Sequence, residues 1–266
     1  MRTARAIGAF VRRDFRTALT YRLSLVSTLL ASVFTLISFK FIAKLVHGGA
    51  FAGSTVAYFR YVVVGLALGG VLDAGMGRPA SAARSDQVQG TLELLTTQPL
   101  SPMGLGLGWA AFPLLEAMVT SLLILLIATP LGFRADQPNV GVALLTLALS
   151  AVVFGALGML TAAIVLAVQQ AVQVTHFATA VLSLLSGVLF PIALLPGWLQ
   201  VVSYLSPMTY AVDAMRGALL HHSTLFGVGT DLLILVGFAV VLLPLGAHAI
   251  RVALAYARRR GTLSSF

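Results

Sequence analysis

Long apolar runs, broken by short polar stretches, repeat along this chain. Six of them, about residues 23–45, 56–76, 107–131, 140–168, 172–194 and 232–250, reach the roughly 20 apolar residues needed to cross a bilayer core. Lys40 and Lys44 sit near the far end of the first run and Arg60 and Asp73 near the two ends of the second. Glu116 lies within the third, the fourth carries no charge, and Arg251 closes the sixth. The link between the fourth and fifth is so short that the pattern leaves their boundary open. The runs are continuous, not alternating, so they predict helices and not barrel strands. An open sheet would leave backbone groups unpaired in lipid.

Three segments follow other patterns. In residues 3–22, Ile7, Phe10, Val11, Phe15 and Leu19 recur at helical spacing while Arg5, Arg12, Arg13 and Arg16 take mostly other faces. This predicts a basic amphipathic helix in the inner headgroup layer, either a plain anchor or one that also touches a cytoplasmic partner. Residues 190–229 are too long for a hairpin. Prolines at first-turn positions predict two short apolar helices there, about 196–204 and 207–220, dipping back into the outer leaflet or packing on the spans. The stretch SDQVQGTLELLTTQPLSP, residues 85–102, is polar between two spans. Gln89 to Thr97 predicts a short helix ending before Pro99, with Leu92 and Leu95 on one face and Glu93 on another. Such a ridge suits a groove on a soluble protein; the alternative is a plain surface loop. The fold class expected is therefore an all-α polytopic membrane protein, one domain over 1–266. It has an interfacial helix at 3–22, six transmembrane helices, a cytoplasmic segment at 77–106 and an outer re-entrant region at 190–229.

Composition agrees. The chain is 59% hydrophobic and 9% charged, with mean hydropathy +0.98, more apolar surface than a soluble domain hides. Its net charge of +9 reads as orientation and attraction to membrane lipids. The basic residues gather at the chain's two ends without interleaved aromatics, so no nucleic-acid partner is expected. With the N-terminus inside, twelve of the 17 basic residues fall inside and five (Lys40, Lys44, Arg60, Arg134 and Arg216) fall outside. The positive-inside rule then predicts a multi-pass protein of the cell inner (plasma) membrane with both termini cytoplasmic. About twenty amphipathic residues precede the first apolar run, so no cleaved leader is expected. There is no cysteine, hence no disulfide or thiolate site.

Candidate chemistry is sparse. No GxxxxGK[ST] loop exists, since neither Lys40 nor Lys44 follows a glycine, and there is no HExxH or GxSxG. His221 and His222 diverge on a helix and chelate poorly; His176 reads as an interfacial or helix-contact residue. No metal and no catalytic residue is expected. A carboxylate inside a span is costly and suggests function. Glu116 thus reads either as lining a substrate path or relaying a proton, or as an acid protonated or paired with a neighbouring helix. Asp73 is expected to pair with Arg78, and Asp213 with Arg216 at i, i+3. Gly65 and Gly69, with Gly155, mark close helix packing within one subunit. A secondary transporter or channel acting alone through Glu116 is the competing reading. A membrane-embedded enzyme would want clustered groups, and the eight acids are scattered.

Two motifs carry a family resemblance. VQGTLELLTTQPLSP, residues 88–102, resembles the intracellular coupling segment of ABC-2 type transport permeases, a G-T-x-E core before a proline-bearing turn. LLSGVLFPIALLPGWLQVVSYLSPMTYAVDAMRGALL, residues 184–220, resembles the family's C-terminal signature of a fifth span, a P-x-W-L turn, an S/N-P-[ML]-T-Y segment and an alanine-rich helix with a basic residue. The resemblance covers essentially the whole chain. It implies a homodimer, or a pair with a paralogous permease, bound to two copies of a cytoplasmic ABC ATPase subunit. This chain would bind no cofactor; ATP and magnesium would belong to the partner. ATP-driven closure of the soluble pair would pass through Gly90, Thr91, Leu92, Glu93 and Leu95 and through the interfacial helix with Arg5, Arg12 and Arg16. The outer re-entrant region would comprise Pro196, Trp198, Pro207, Tyr210, Asp213 and Arg216. The cargo path would follow the permease interface, with Glu116 a candidate lining residue. The resemblance implies export, of a drug-like, lipid-like or glycolipid cargo; spans almost free of charge, with outer helices that hug the membrane, suggest an amphipathic or lipid-like one.

Overall fold

A computed structural model describes residues 2–20, 22–45, 55–98, 100–135, 138–168, 171–220 and 224–260, apart from the side chains of 2–6, 19, 22–25 and 260. The described residues form ten α-helices, one short 3-10 turn and no strands. They are α1 (Arg2–Thr20), α2 (Arg22–Leu45), α3 (Thr55–Val88), α4 (Thr91–Thr97), α5 (Pro102–Ala128), α6 (Val140–Ala167), α7 (Ala171–Leu185), α8 (Gly197–Tyr204), α9 (Pro207–Leu220) and α10 (Gly229–Arg260). The end of the bundle bearing α8 and α9 is termed outer here, and the end bearing α4 inner.

Five helices, α2, α3, α5, α6 and α10, are long and apolar enough to cross a membrane. The chain is a multi-pass membrane protein. The fifth apolar run expected at 172–194 is instead a 15-residue helix, α7, followed by bends and the 3-10 turn Ile192–Leu194. Gly187, at φ 75, turns the backbone just past its end, and Pro191 lies beyond. At 1.5 Å per residue α7 rises about 22 Å, short of the ~30 Å core. It still runs antiparallel to α3. Ala171 at its start packs in a cluster with Ala80, while Val188, past its end, meets Gly65 near the outer end of α3.

Two helices outrun their apolar stretches. The second run was expected to end near Met76, yet α3 continues to Val88 through Pro79, 34 residues or about 51 Å. The sixth was expected to end at Arg251, yet α10 continues to Arg260. Hydropathy marks where lipid stops; it does not mark where the helix stops.

The core sits where α6 packs against α3 and α10, with α5 alongside. Pro79 has no N–H to give the Gly75 carbonyl one turn back. At that spot Gly158 of α6 lies so close that any Cβ would collide with the Gly75 carbonyl, and Thr161 Oγ1 donates to the Met76 carbonyl at 2.8 Å. The expected glycine contacts prove intramolecular: Gly65 abuts the Val188 backbone and Gly155 abuts Leu114, while Gly69 has only Ser183 Oγ near it, at 3.9 Å. α2 is packed lightly and exposes Leu30, Phe34 and Phe41.

Candidate functional site

At the inner end, α3 stops at Val88 and the chain reverses through Gly90, whose φ of 72 is left-handed and favours glycine. α4 follows at once. Thr91 Oγ1 donates to Asp86 Oδ1 at 2.9 Å and to the Asp86 carbonyl at 3.2 Å. The indole Nε1 of Trp109, on α5, donates to Asp86 Oδ2 at 2.7 Å. Asp86 and Trp109 are buried. One carboxylate therefore ties the end of α3, the start of α4 and the first turns of α5 together, each oxygen accepting a bond, as a buried charge requires. Trp109 shares a core cluster with Leu92, Leu105 and Phe10 of α1. Phe10 lies against Gly108, where a Cβ would stand 2.7 Å from its ring. α3, α5 and α1 thus meet around α4.

The structure turns α4 over relative to the sequence expectation. Leu92 is fully buried and Leu95 half-buried against the same cluster, so this ridge faces the chain's own core. A groove-seating ridge of Leu92 and Leu95 is corrected to an outward face of Glu93 and Leu94, both exposed. A seven-residue helix beside a half-open core buries its apolar pair where water is already excluded. The far end of α4 is held by Arg258 of α10, which donates to the Thr96 carbonyl at 3.2 Å; a cation there also suits the helix C-terminus. On α1, Arg12 and Arg16 are exposed, and Arg5 falls outside the described side chains.

Glu116 is half-buried on α5 and forms an ion pair with Arg78 of α3. The expected Asp73–Arg78 pair is corrected: a residue five positions on points to another face of the helix, and Arg78 reaches across to α5 instead. Of the two readings of Glu116, pairing with a neighbouring helix is the one the geometry holds. Glu116 also borders an apolar groove of about 400 Å³ between α1, α2 and α5, walled by Phe15, Leu29, Phe112 and Leu123.

At the outer end Arg216, on α9, is buried. Its Nη2 donates to the carbonyls of Gly187 (2.8 Å), Tyr61 (3.2 Å) and Val188 (3.2 Å), and its guanidinium lies 3.4 Å from the centre of the Tyr61 ring. The Tyr61 hydroxyl donates to the same Gly187 carbonyl at 2.9 Å. Asp213 forms the expected i, i+3 pair, but loosely, at 3.9 Å. Burial pushes the guanidinium down to about 10, which leaves it a cation at neutral pH. The two expected short helices stand as α8 and α9. Pro196 caps α8 and Pro207 opens α9, the Tyr210 hydroxyl donates to the Tyr204 carbonyl at 2.8 Å, and Trp198 projects outward. His221 and His222 lie outside the described residues. Among the described residues no cluster of His, Asp or Glu is placed to hold a metal.

Sequence reasoning missed Asp86, Trp109 and Tyr61 as partners, and it gave Arg78 to Asp73 where the structure pairs it with Glu116. A signal existed for the first two: an acid in a polar break and an indole early in the next span, each needing a partner once buried.

The described residues thus form a bundle with five helices of membrane-crossing length and a short helix, α4, tethered at one end. The family model described as ABC-2 type transporter matches residues 5–220, and the chain belongs to that family. Permeases of this family work with ATPase subunits in ABC transporters. The chain is also similar to Nodulation protein J of Sinorhizobium fredii (strain NBRC 101917 / NGR234), 33% identical over 129 residues. That match covers 48% of this chain and 47% of the relative, so the chain aligns with about half the length of the curated relative it matches.

Proposed function

We propose that this chain is the permease subunit of an ATP-driven ABC exporter, and that α4 receives the stroke of a cytoplasmic ATPase. The observation that carries this is the Asp86 clasp. α4 presents Glu93 and Leu94 outward while its first turn is bonded to α3 and backed by α5. A push on that outward face reaches two long helices without a flexible joint between. The coupling set is Gly90 and Thr91 for the turn, Leu92 and Leu95 for the inward seat, and Glu93 for the partner contact. α1, with Arg5, Arg12 and Arg16, forms the second contact at the headgroup layer.

The working unit is two copies of this chain, or one with a paralogous permease, and two ATPase subunits that carry the ATP and magnesium. It sits in the inner (plasma) membrane with six crossings and both termini cytoplasmic, as the charge distribution favours. The re-entrant region of Pro196, Trp198, Pro207, Tyr210, Asp213 and Arg216 closes the outer side. The apolar groove beside Glu116 supports an amphipathic, lipid-like, drug-like or glycolipid cargo. The ion pair with Arg78 argues against a lone proton-relaying Glu116.

The test is Glu93→Lys in the chain co-expressed with its ATPase. Membrane insertion is expected to stay at the native level while ATPase co-purification and ATP-driven transport fall at least about tenfold, the effect of ~1.4 kcal/mol at an interface. Full partner retention with full transport would sink the coupling role of α4.

A further inference from the structure

α10 carries Arg251 and, two turns on, Arg258 and Arg259. Where this end passes the α4–α5 connection it borders a cavity of about 430 Å³. The three arginines form one wall, and Leu95, Leu100 and Leu254 contribute an apolar floor. Among the described residues no carboxylate lines it. Arg258 is oriented there by its bond to the Thr96 carbonyl. A second cavity, of about 390 Å³, shares Ser101, Pro102 and Arg251 with the first and continues up α10 beside Met103, Pro244, Ala247 and His248. Pro244 and Arg258 are about 21 Å apart along the helix axis at 1.5 Å per residue.

The groove therefore changes character in one direction. Beside the span it is mainly apolar (Met103, Pro244 and Ala247), with His248 one turn short of the arginines, and it is cationic at the inner end, the order of tail and headgroup in a phospholipid lying along a helix. Guanidinium groups match phosphate oxygens in fork geometry, and basic pockets between spans at an inner face take anionic headgroups. We propose that this groove is a binding site for one anionic phospholipid. Its phosphodiester is held by Arg251, Arg258 and Arg259, and an acyl chain lies along Met103 and Pro244. The lipid braces α10 against the connection that leads out of α4. The site is separate from the cargo groove beside Glu116, and its test needs no ATPase, so it stands or falls apart from the transport reading.

The experiment is native mass spectrometry of the purified full chain from micelles holding equal phosphatidylglycerol and phosphatidylcholine. Phosphatidylglycerol is expected to stay bound in preference to phosphatidylcholine. Arg259→Gln should lower its retention roughly fivefold, and Arg251→Gln with Arg259→Gln further, at about that factor per arginine. Arg258 is left in place because it also holds Thr96. Arg134→Gln, which removes an exposed arginine at the opposite end, should leave retention unchanged, and thermal midpoints of all variants confirm that they fold. Millimolar inorganic phosphate should not displace the lipid. Equal retention of the two lipids, native retention in the double variant, or displacement by free phosphate would each overturn the proposal.

Discussion

Asp86 and Arg216 are both taken out of water: both oxygens of Asp86 are met, whereas Arg216 is met at Nη2 while its Nε is buried with no hydrogen-bond partner among the described residues. Asp86 accepts from Thr91 on one oxygen and Trp109 on the other; Arg216 donates to three carbonyls and covers the Tyr61 ring. Removing one donor from a buried carboxylate leaves an unmet acceptor, which costs about 1–3 kcal/mol. The two tryptophans of the chain offer a matched comparison. Trp109→Phe keeps the ring in its cluster but drops the bond to Asp86, so the detergent-solubilised protein should unfold at a clearly lower temperature. Trp198 is 70% exposed, and Trp198→Phe should stay within about 0.5 kcal/mol of native. Equal midpoints for the two variants would mean that the clasp contributes nothing. Of these residues the sequence made Arg216 and Asp213 legible as an i, i+3 pair, because both lie on one short helix. The dominant partners of Arg216, 155 and 29 positions away, leave no local pattern. The same holds for Arg78 and Glu116, 38 positions apart.

Elements were legible where lipid dictates them and less so where protein does. Unbroken apolar runs gave the five helices long enough to cross a membrane within a few residues at their outer-facing ends, since bilayer thickness sets such lengths. α8 and α9 were legible from the prolines at their starts. The inner extensions of α3 and α10 were not, because a helix leaving lipid loses its hydropathy signal while keeping its hydrogen bonds. Nor was the facing of α4: seven residues define two faces, and only the surrounding core decides which turns inward. The glycines divide the same way. Gly65 and Gly69 form one small-xxx-small pair in sequence, yet only Gly65 touches backbone closely. The tightest crossing, Gly158 on the Gly75 carbonyl, was not marked. Gly158→Ala should therefore push α6 off α3 and cost about 1–3 kcal/mol, the range for overpacking against atoms that cannot move aside. Gly69→Ala should be nearly neutral. Folded yield after detergent extraction checks both, and a Gly158→Ala protein as abundant and as heat-stable as Gly69→Ala would refute the crossing.

Across the whole molecule the open question of α7 becomes one of parity. If α7 crosses, six passages bring both termini to the same side as α4; if it does not, α10 ends on the opposite side. Arg258 bonds to Thr96 of α4, and Val188, past the end of α7, abuts Gly65 at the outer end of α3. Both contacts are ones that a crossing α7 would make; the helix ends at Leu185, and the bends around Gly187 lead on to α8 and α9. The chain has no cysteine, so an introduced one reports alone. Leu94 is 68% exposed on α4 and Phe226 is 97% exposed between α9 and α10. With a crossing α7 and a cytoplasmic N-terminus, Phe226→Cys should react with a membrane-impermeant maleimide on intact cells, and Leu94→Cys only once the membrane is opened. Labelling of Leu94→Cys alone on intact cells would keep the crossing and reverse the orientation. Labelling of both from one side would remove the crossing, and it would also require Arg258 and Thr96 to lie on opposite faces of the membrane, which a 3.2 Å hydrogen bond forbids. That outcome would overturn the packing of α10 against α4 together with the six-span topology.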